Sequence, residues 1–105
     1  ADRRGRRTVS LRSVATGLVV SGRSVLTEGT GLTMDEWASK PWQTWRIRPT
    51  STKRGFAIVS ADDSFRSEPL AVDVTDNAGL GSFVQVQRWR DVPSQHFLLL
   101  RVREP

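Results

Sequence analysis

A chain of 105 residues has room for one domain of ordinary size and is too short for two with separate cores. Its apolar content of 37% is thin, so the core has to be assembled from scattered Val, Leu and Ile and from the four Trp. The formal charge of +5 suggests a polyanion partner, but residues 1–7 hold four arginines against one acid, Asp2, and the rest of the chain is left at +2. Residues 1–7 therefore read as a flexible, solvated basic arm. Fourteen Arg against two Lys is a compositional habit more than a phosphate-binding pattern, and nucleic acid is not an expected partner. The lack of cysteine excludes disulfides, zinc-thiolate sites and a thiol nucleophile, and leaves the redox compartment unread. The longest apolar run, residues 97–100, falls far short of the roughly 20 residues that span a bilayer. No leader is recognisable, and a chain that starts at Ala1 is compatible with a mature secreted form, so localisation stays open.

Along the chain, short β-branched or aromatic runs bounded by Gly, Pro, Ser, Thr, Asn and Asp recur at intervals of about ten residues, while helical periodicity is almost absent. Strands are expected over residues 8–14, 18–20, 31–34, 44–48, 56–60, 71–74, 84–87 and 97–102, which makes residues 8–105 a single all-β domain. Residues 84–87 alternate apolar with polar, as a sheet with one wet face does. Residues 97–100 have no polar face and should be buried on both sides. A helical turn fits only at residues 34–37.

The chain also repeats itself. At an offset of 52, Leu18 matches Leu70, Val20 matches Val72, Gly29 matches Gly81, Trp37 matches Trp89, Pro41 matches Pro93 and Gln43 matches Gln95; Leu32 falls on Val84 and Trp45 on Phe97. Ahead of that stretch, residues 9–13 resemble residues 56–60 at an offset of 47, which implies about five extra residues in the loop 61–69. The expected architecture is two diverged four-strand repeats, residues 8–50 and 55–102.

The repeats end in Gln43-Thr44-Trp45 and Gln95-His96-Phe97. These resemble the Gln-x-Trp signature that closes each lobe of the ricin-B-type β-trefoil lectins. Val84-Gln85 lies where such lobes place a Val-Gln pair, and residues 71–77 look like their Leu-Asp-Val segment, followed by a Gly turn at residues 79–81. The resemblance covers about residues 8–102 and implies a trefoil-like fold with carbohydrate binding. Gln43, Trp45, Gln95 and Phe97 are then structural: the amide bonds backbone groups left unpaired beneath the lobe, and the aromatic enters the core.

A lobe of this family grips a sugar with an Asp after its second strand, a polar residue beyond it and an aromatic ring, because a carboxylate accepts hydroxyl hydrogen bonds and a ring covers the apolar face of a hexose. The second repeat offers Asp73 as the carboxylate, Gln85 as the amide and Trp89 as the ring; by count the stacking position itself falls on Gln87. The first repeat has Ser21 or Val19 and Thr33 at the corresponding places, so its site looks degraded. Trp42 and Ser94 stand where sugar-binding lobes often carry Asn before the closing Gln.

A trefoil closes with three lobes and this chain supplies two. Two lobes leave open strand edges, which implies self-association, a partner chain, or an altered fold that covers the edge. The expected partners are a glycan or glycoprotein and further copies of the chain. The alternative function is protein–protein interaction, as an assembly subunit or inhibitor anchored on Trp37, Trp42 and Trp89. Enzyme chemistry is not expected. His96 is the single histidine and reads as a solvated or capped side chain; Asp62-Asp63 and the pair Asp73 and Asp76 read as turn residues; Gly29-Thr30-Gly31 lacks the rest of a phosphate loop. No spacing suits a metal, and no cofactor motif is present.

Overall fold

The computed structural model describes residues 7–23, 27–61, 69–74 and 84–99. The protein is all-β, with six strands in two antiparallel sheets among the described residues. A two-stranded sheet pairs β1 (Val19–Ser21) with β2 (Thr33–Asp35), and a four-stranded sheet runs in chain order through β3 (Trp45–Pro49), β4 (Phe56–Ser60), β5 (Leu70–Asp73) and β6 (Gln85–Arg88). Two single 3-10 turns, Pro41–Gln43 and Pro93–Gln95, follow β2 and β6. Among the described residues no helix is long and apolar enough to cross a membrane.

Strand β5 explains the layering. All four of its residues are buried, because it is flanked by β4 and β6 and covered on both faces. Leu70 and Val72 join Trp45 and Val86 in one cluster, lined by Val9, Leu11, Val20, Leu32, Ile58 and Phe97. On the other face Ala71 joins Ala57 and Val59, and the Trp89 indole packs against these three. Small side chains at 57 and 71 leave room for the ring. Each large apolar group fully buried this way contributes about 1.5–3 kcal/mol. The Trp45 indole N–H also donates to the Val20 carbonyl at 3.4 Å, so its one polar atom is not stranded.

The same backbone bonds occur twice, 52 residues apart. Gly22 N–H donates to the Trp42 carbonyl and Val74 N–H to the Ser94 carbonyl, both at 2.9 Å. Ser39 and Asp91 take left-handed φ angles of 56° and 54° at matching points of the loops before the two 3-10 turns. Trp45 exchanges two backbone bonds with Val9, and Phe97 exchanges two with Phe56. The bridge Arg12 to Val19 corresponds to Val59 with Ala71. In these last pairs Val9 and Arg12 lie 47 residues before Phe56 and Val59, and Trp45 and Val19 lie 52 before Phe97 and Ala71.

Several expectations need correction. Residues 8–14 form isolated bridges at Val9 and Arg12 and no continuous strand, because a turn closed by Gly17 N–H on the Ser13 carbonyl begins at Val14. Residues 34–37 do not coil: Met34 and Asp35 extend in β2, and the 3-10 turns form where a Pro occupies the first turn and needs no N–H partner. Residues 97–99 are not buried on both sides; Leu98 is 53% and Leu99 89% exposed, since only Phe97 is bridged. The remaining part of that expected strand, residues 100–102, the arm at residues 1–6, Asp62-Asp63 and the Asp76 and Gly79–81 region lie outside the described residues.

Candidate functional site

Asp73 ends β5 directly opposite Gln85 of β6, and Ala71 stands opposite Gln87. Cross-strand partners share a face, so Asp73, Gln85 and Gln87 project on the side where Trp89 covers Ala71. The expectation of a turn-borne, exposed carboxylate is overturned: Asp73 is 2% exposed, because it belongs to the central strand. Its Oδ2 is buried without a hydrogen-bond partner, and the guanidinium of the exposed Arg90 lies beside it, with Nη2 3.9 Å away. That separation is an ion pair and too long for a hydrogen bond.

Gln95 holds the loop that carries Arg90. Its Oε1 accepts from Arg90 N–H at 2.9 Å and its Nε2 donates to the Arg88 carbonyl at 2.7 Å. Val74 N–H on the Ser94 carbonyl draws the closing turn alongside. Gln43 repeats the arrangement with Ala38 N–H and the Glu36 carbonyl, both at 2.8 Å. Comparison with family models, with curated proteins and with solved structures finds no match for this chain.

The four expected ligand-binding residues thus share one face, but Trp89 differs in kind from the other three. Its ring lies on Ala57, Val59 and Ala71, tilted against His96 at 6.2 Å between centroids, with the Arg48 guanidinium 5.7 Å from its centroid. The ring is committed to packing and offers only part of itself to a ligand. Trp37, its counterpart, is 42% exposed. The positions equivalent to Ala57, Val59 and Ala71 are Ser10, Arg12 and Val19, so the first half does not repeat the all-apolar trio on which Trp89 packs.

The first half holds a cleft of about 410 Å³ at the matching place, lined among others by Ser21, Asp35, Glu36, Lys40, Trp42 and Gln43. Sequence reasoning passed over this cleft and over Arg90. The offset of 52 could have found both, because it superposes Ser21 on Asp73 and Ala38 on Arg90. Lys40 Nζ sits 5.8 Å from the centroid of the Trp42 ring.

Of the two expected states of His96, solvated or capped, the structure shows the capped one. Its side chain is 6% exposed, with Nε2 2.6 Å from Asp91 Oδ1 and Nδ1 2.6 Å from Thr52 Oγ1. A carboxylate can only accept, so Nε2 carries the proton toward Asp91, and in the neutral ring Nδ1 accepts the Thr52 hydroxyl. Asp91 Oδ1 also accepts from Ser51 N–H and Ser51 Oγ, each at 3.2 Å. The Ser51 backbone bond above all holds the Asp91 carboxyl below its ordinary value; desolvation opposes it, and the side-chain bonds from His96 and Ser51 add to the lowering. Among the described residues no group of three or more His, Cys, Asp or Glu could hold a metal ion.

Proposed function

We propose that this chain is a duplicated, trefoil-like carbohydrate-binding module, not an enzyme, and that its second half recognises glycan hydroxyls through Asp73, Gln85 and Gln87. The observation that carries this reading is the buried Asp73 oxygen without a hydrogen-bond partner. A buried carboxylate oxygen left unbonded costs several kcal/mol at the ordinary scale of such groups, so its retention calls for a ligand that supplies donors. Sugar hydroxyls are donors of the right kind, the opposed Gln85 supplies both donor and acceptor, and the exposed Arg90 can swing clear of the carboxylate. The paired Gln43 and Gln95 bonds support the duplication. We read the bonds from Thr52 to His96 to Asp91 as a brace between loops.

The test is a glycan array on the intact chain, followed by titration of the sugar it returns, with free galactose or a related sugar as competitor. Asp73→Ala should lose about 1.5–3 kcal/mol of affinity, the worth of a hydrogen bond to a charged group, and should melt no lower than the parent. Asp35→Ala, in the first-half cleft, should bind unchanged. Full binding by Asp73→Ala, or loss of binding in Asp35→Ala alone, overturns the reading. One observation favours the second function, protein–protein interaction: Trp37 and Met34 are both exposed on and next to β2, where an interface would use them as anchors. An array without a hit and a protein partner lost by Trp37→Ala would select it.

A further inference from the structure

The longest strand pairing among the described residues is the junction between the two halves. Strand β3 lies on β4 with Trp45 opposite Ser60, Arg46 opposite Val59, Ile47 opposite Ile58, Arg48 opposite Ala57 and Pro49 opposite Phe56. Trp45 is bonded on both sides, to β4 and to Val9, and β4 likewise, to β3 on one side and to Phe97 and Ala71 on the other. The equivalent segments at the two ends of the repeat are bonded on one side only, among the described residues. Phe97 is bridged to Phe56, and Val9 and Arg12 are bridged to Trp45 and Val19.

The two half-paired edges are complementary, because residues 97–99 match the β3 side of the junction and residues 9–13 match its β4 side. Side-chain burial agrees. Leu98 is 53% exposed whereas its counterpart Arg46, covered by β4, is 8% exposed; Leu99 is 89% exposed against 51% for Ile47. An uncovered edge with two exposed leucines invites strand addition.

We propose that residues 97–99 of one copy pair with residues 9–13 of a second copy in the register of β3 on β4, placing Phe97 opposite Ser13, Leu98 opposite Arg12 and Leu99 opposite Leu11. The contact is head-to-tail, so each copy presents one edge of each kind. The proposal rests on the recurring hydrogen bonds and not on sugar recognition, and it is read without any glycan, so either can fail alone.

Sedimentation of the intact chain should show concentration-dependent association. Leu98→Lys, which sets a cation against Arg12 of the next copy and removes an apolar contact, should weaken association on the order of tenfold or more while circular dichroism and the urea midpoint stay unchanged. The register is read by cross-linking, which the cysteine-free chain permits. Mixed under mild oxidation, Leu98→Cys should cross-link to Arg12→Cys in preference to Ser10→Cys. A parent that stays monomeric at high concentration, a Leu98→Lys variant that associates as the parent does, or equal cross-linking to positions 12 and 10 would each overturn the proposal, whether another strand or a symmetric interface is responsible.

Discussion

Gln43 and Gln95 are buried polar residues whose amides do the work of a short piece of backbone. Each accepts from the N–H five residues earlier and donates to the carbonyl seven residues earlier, in a loop too irregular to satisfy itself. Gln95→Ala should orphan Arg90 N–H and the Arg88 carbonyl and lower stability by about 1–3 kcal/mol, as removal of one partner of a part-buried bond does. Urea unfolding checks this; a loss within about 0.5 kcal/mol, the ordinary range of surface substitutions, would mean that water replaces the amide. Gln43→Ala should behave the same way, because its two bonds match in partner spacing and length. Asp73 is the opposite case at the same scale. Its buried oxygen has no hydrogen-bond partner to lose, which is why its removal is expected to spare the fold.

Among the elements, the turn between β3 and β4 is tied to the loop that follows β6 by four polar side chains, Ser51, Thr52, Asp91 and His96. The turn itself is tight: a Cβ at Gly55 would fall 2.7 Å from Thr50 Oγ1 and 2.9 Å from Thr52 Cβ, and Gly55 N–H closes it on the Thr52 carbonyl at 2.8 Å. Asp91 titrates below its ordinary value in the folded state. A lowered carboxylate pKa contributes stability that is fully present above the unfolded value and is lost as pH falls through the folded one. The acid limb of the stability profile should therefore be less steep in Asp91→Asn than in the parent. NMR titration of the Asp91 carboxyl gives the direct reading, and a midpoint at or above the ordinary carboxylate value would remove the effect.

For the molecule as a whole, the ladder predicts where opening begins. β5 is buried throughout and paired on both edges, whereas all three residues of β2 are exposed and, among the described residues, it pairs with β1 alone. Hydrogen exchange should be slowest at β5 and its partners in β4 and β6 and markedly faster at β2, since local opening follows burial and pairing. Equal protection of β2 and β5 would show that the two sheets open as one unit, so that the smaller sheet is not the weaker part.

The strand content, the punctuation by Gly and Pro and the offset of 52 were legible in the chain, because β propensity, turn chemistry and spacing are local properties. Residues 56–60 and 84–87 emerged within one position of the observed strands for that reason, and the alternation in 84–87 placed Val86 inside. What local pattern could not supply was the neighbour of each residue. Leu98 and Leu99 read as core and lie exposed because, of residues 97–99, only Phe97 is bridged to a described strand. Trp37 and Trp89 occupy matched positions, yet Trp37 is 42% exposed while Trp89 packs on Ala57, Val59 and Ala71. Asp73 read as a turn residue and ends a strand buried on both faces; His96 read as solvated or capped, and the groups that cap both ring nitrogens, Thr52 and Asp91, could not be named from the chain. Exposure, hydrogen-bond satisfaction and ion pairing depend on groups tens of residues away along the chain, and only the tertiary structure brings those groups together.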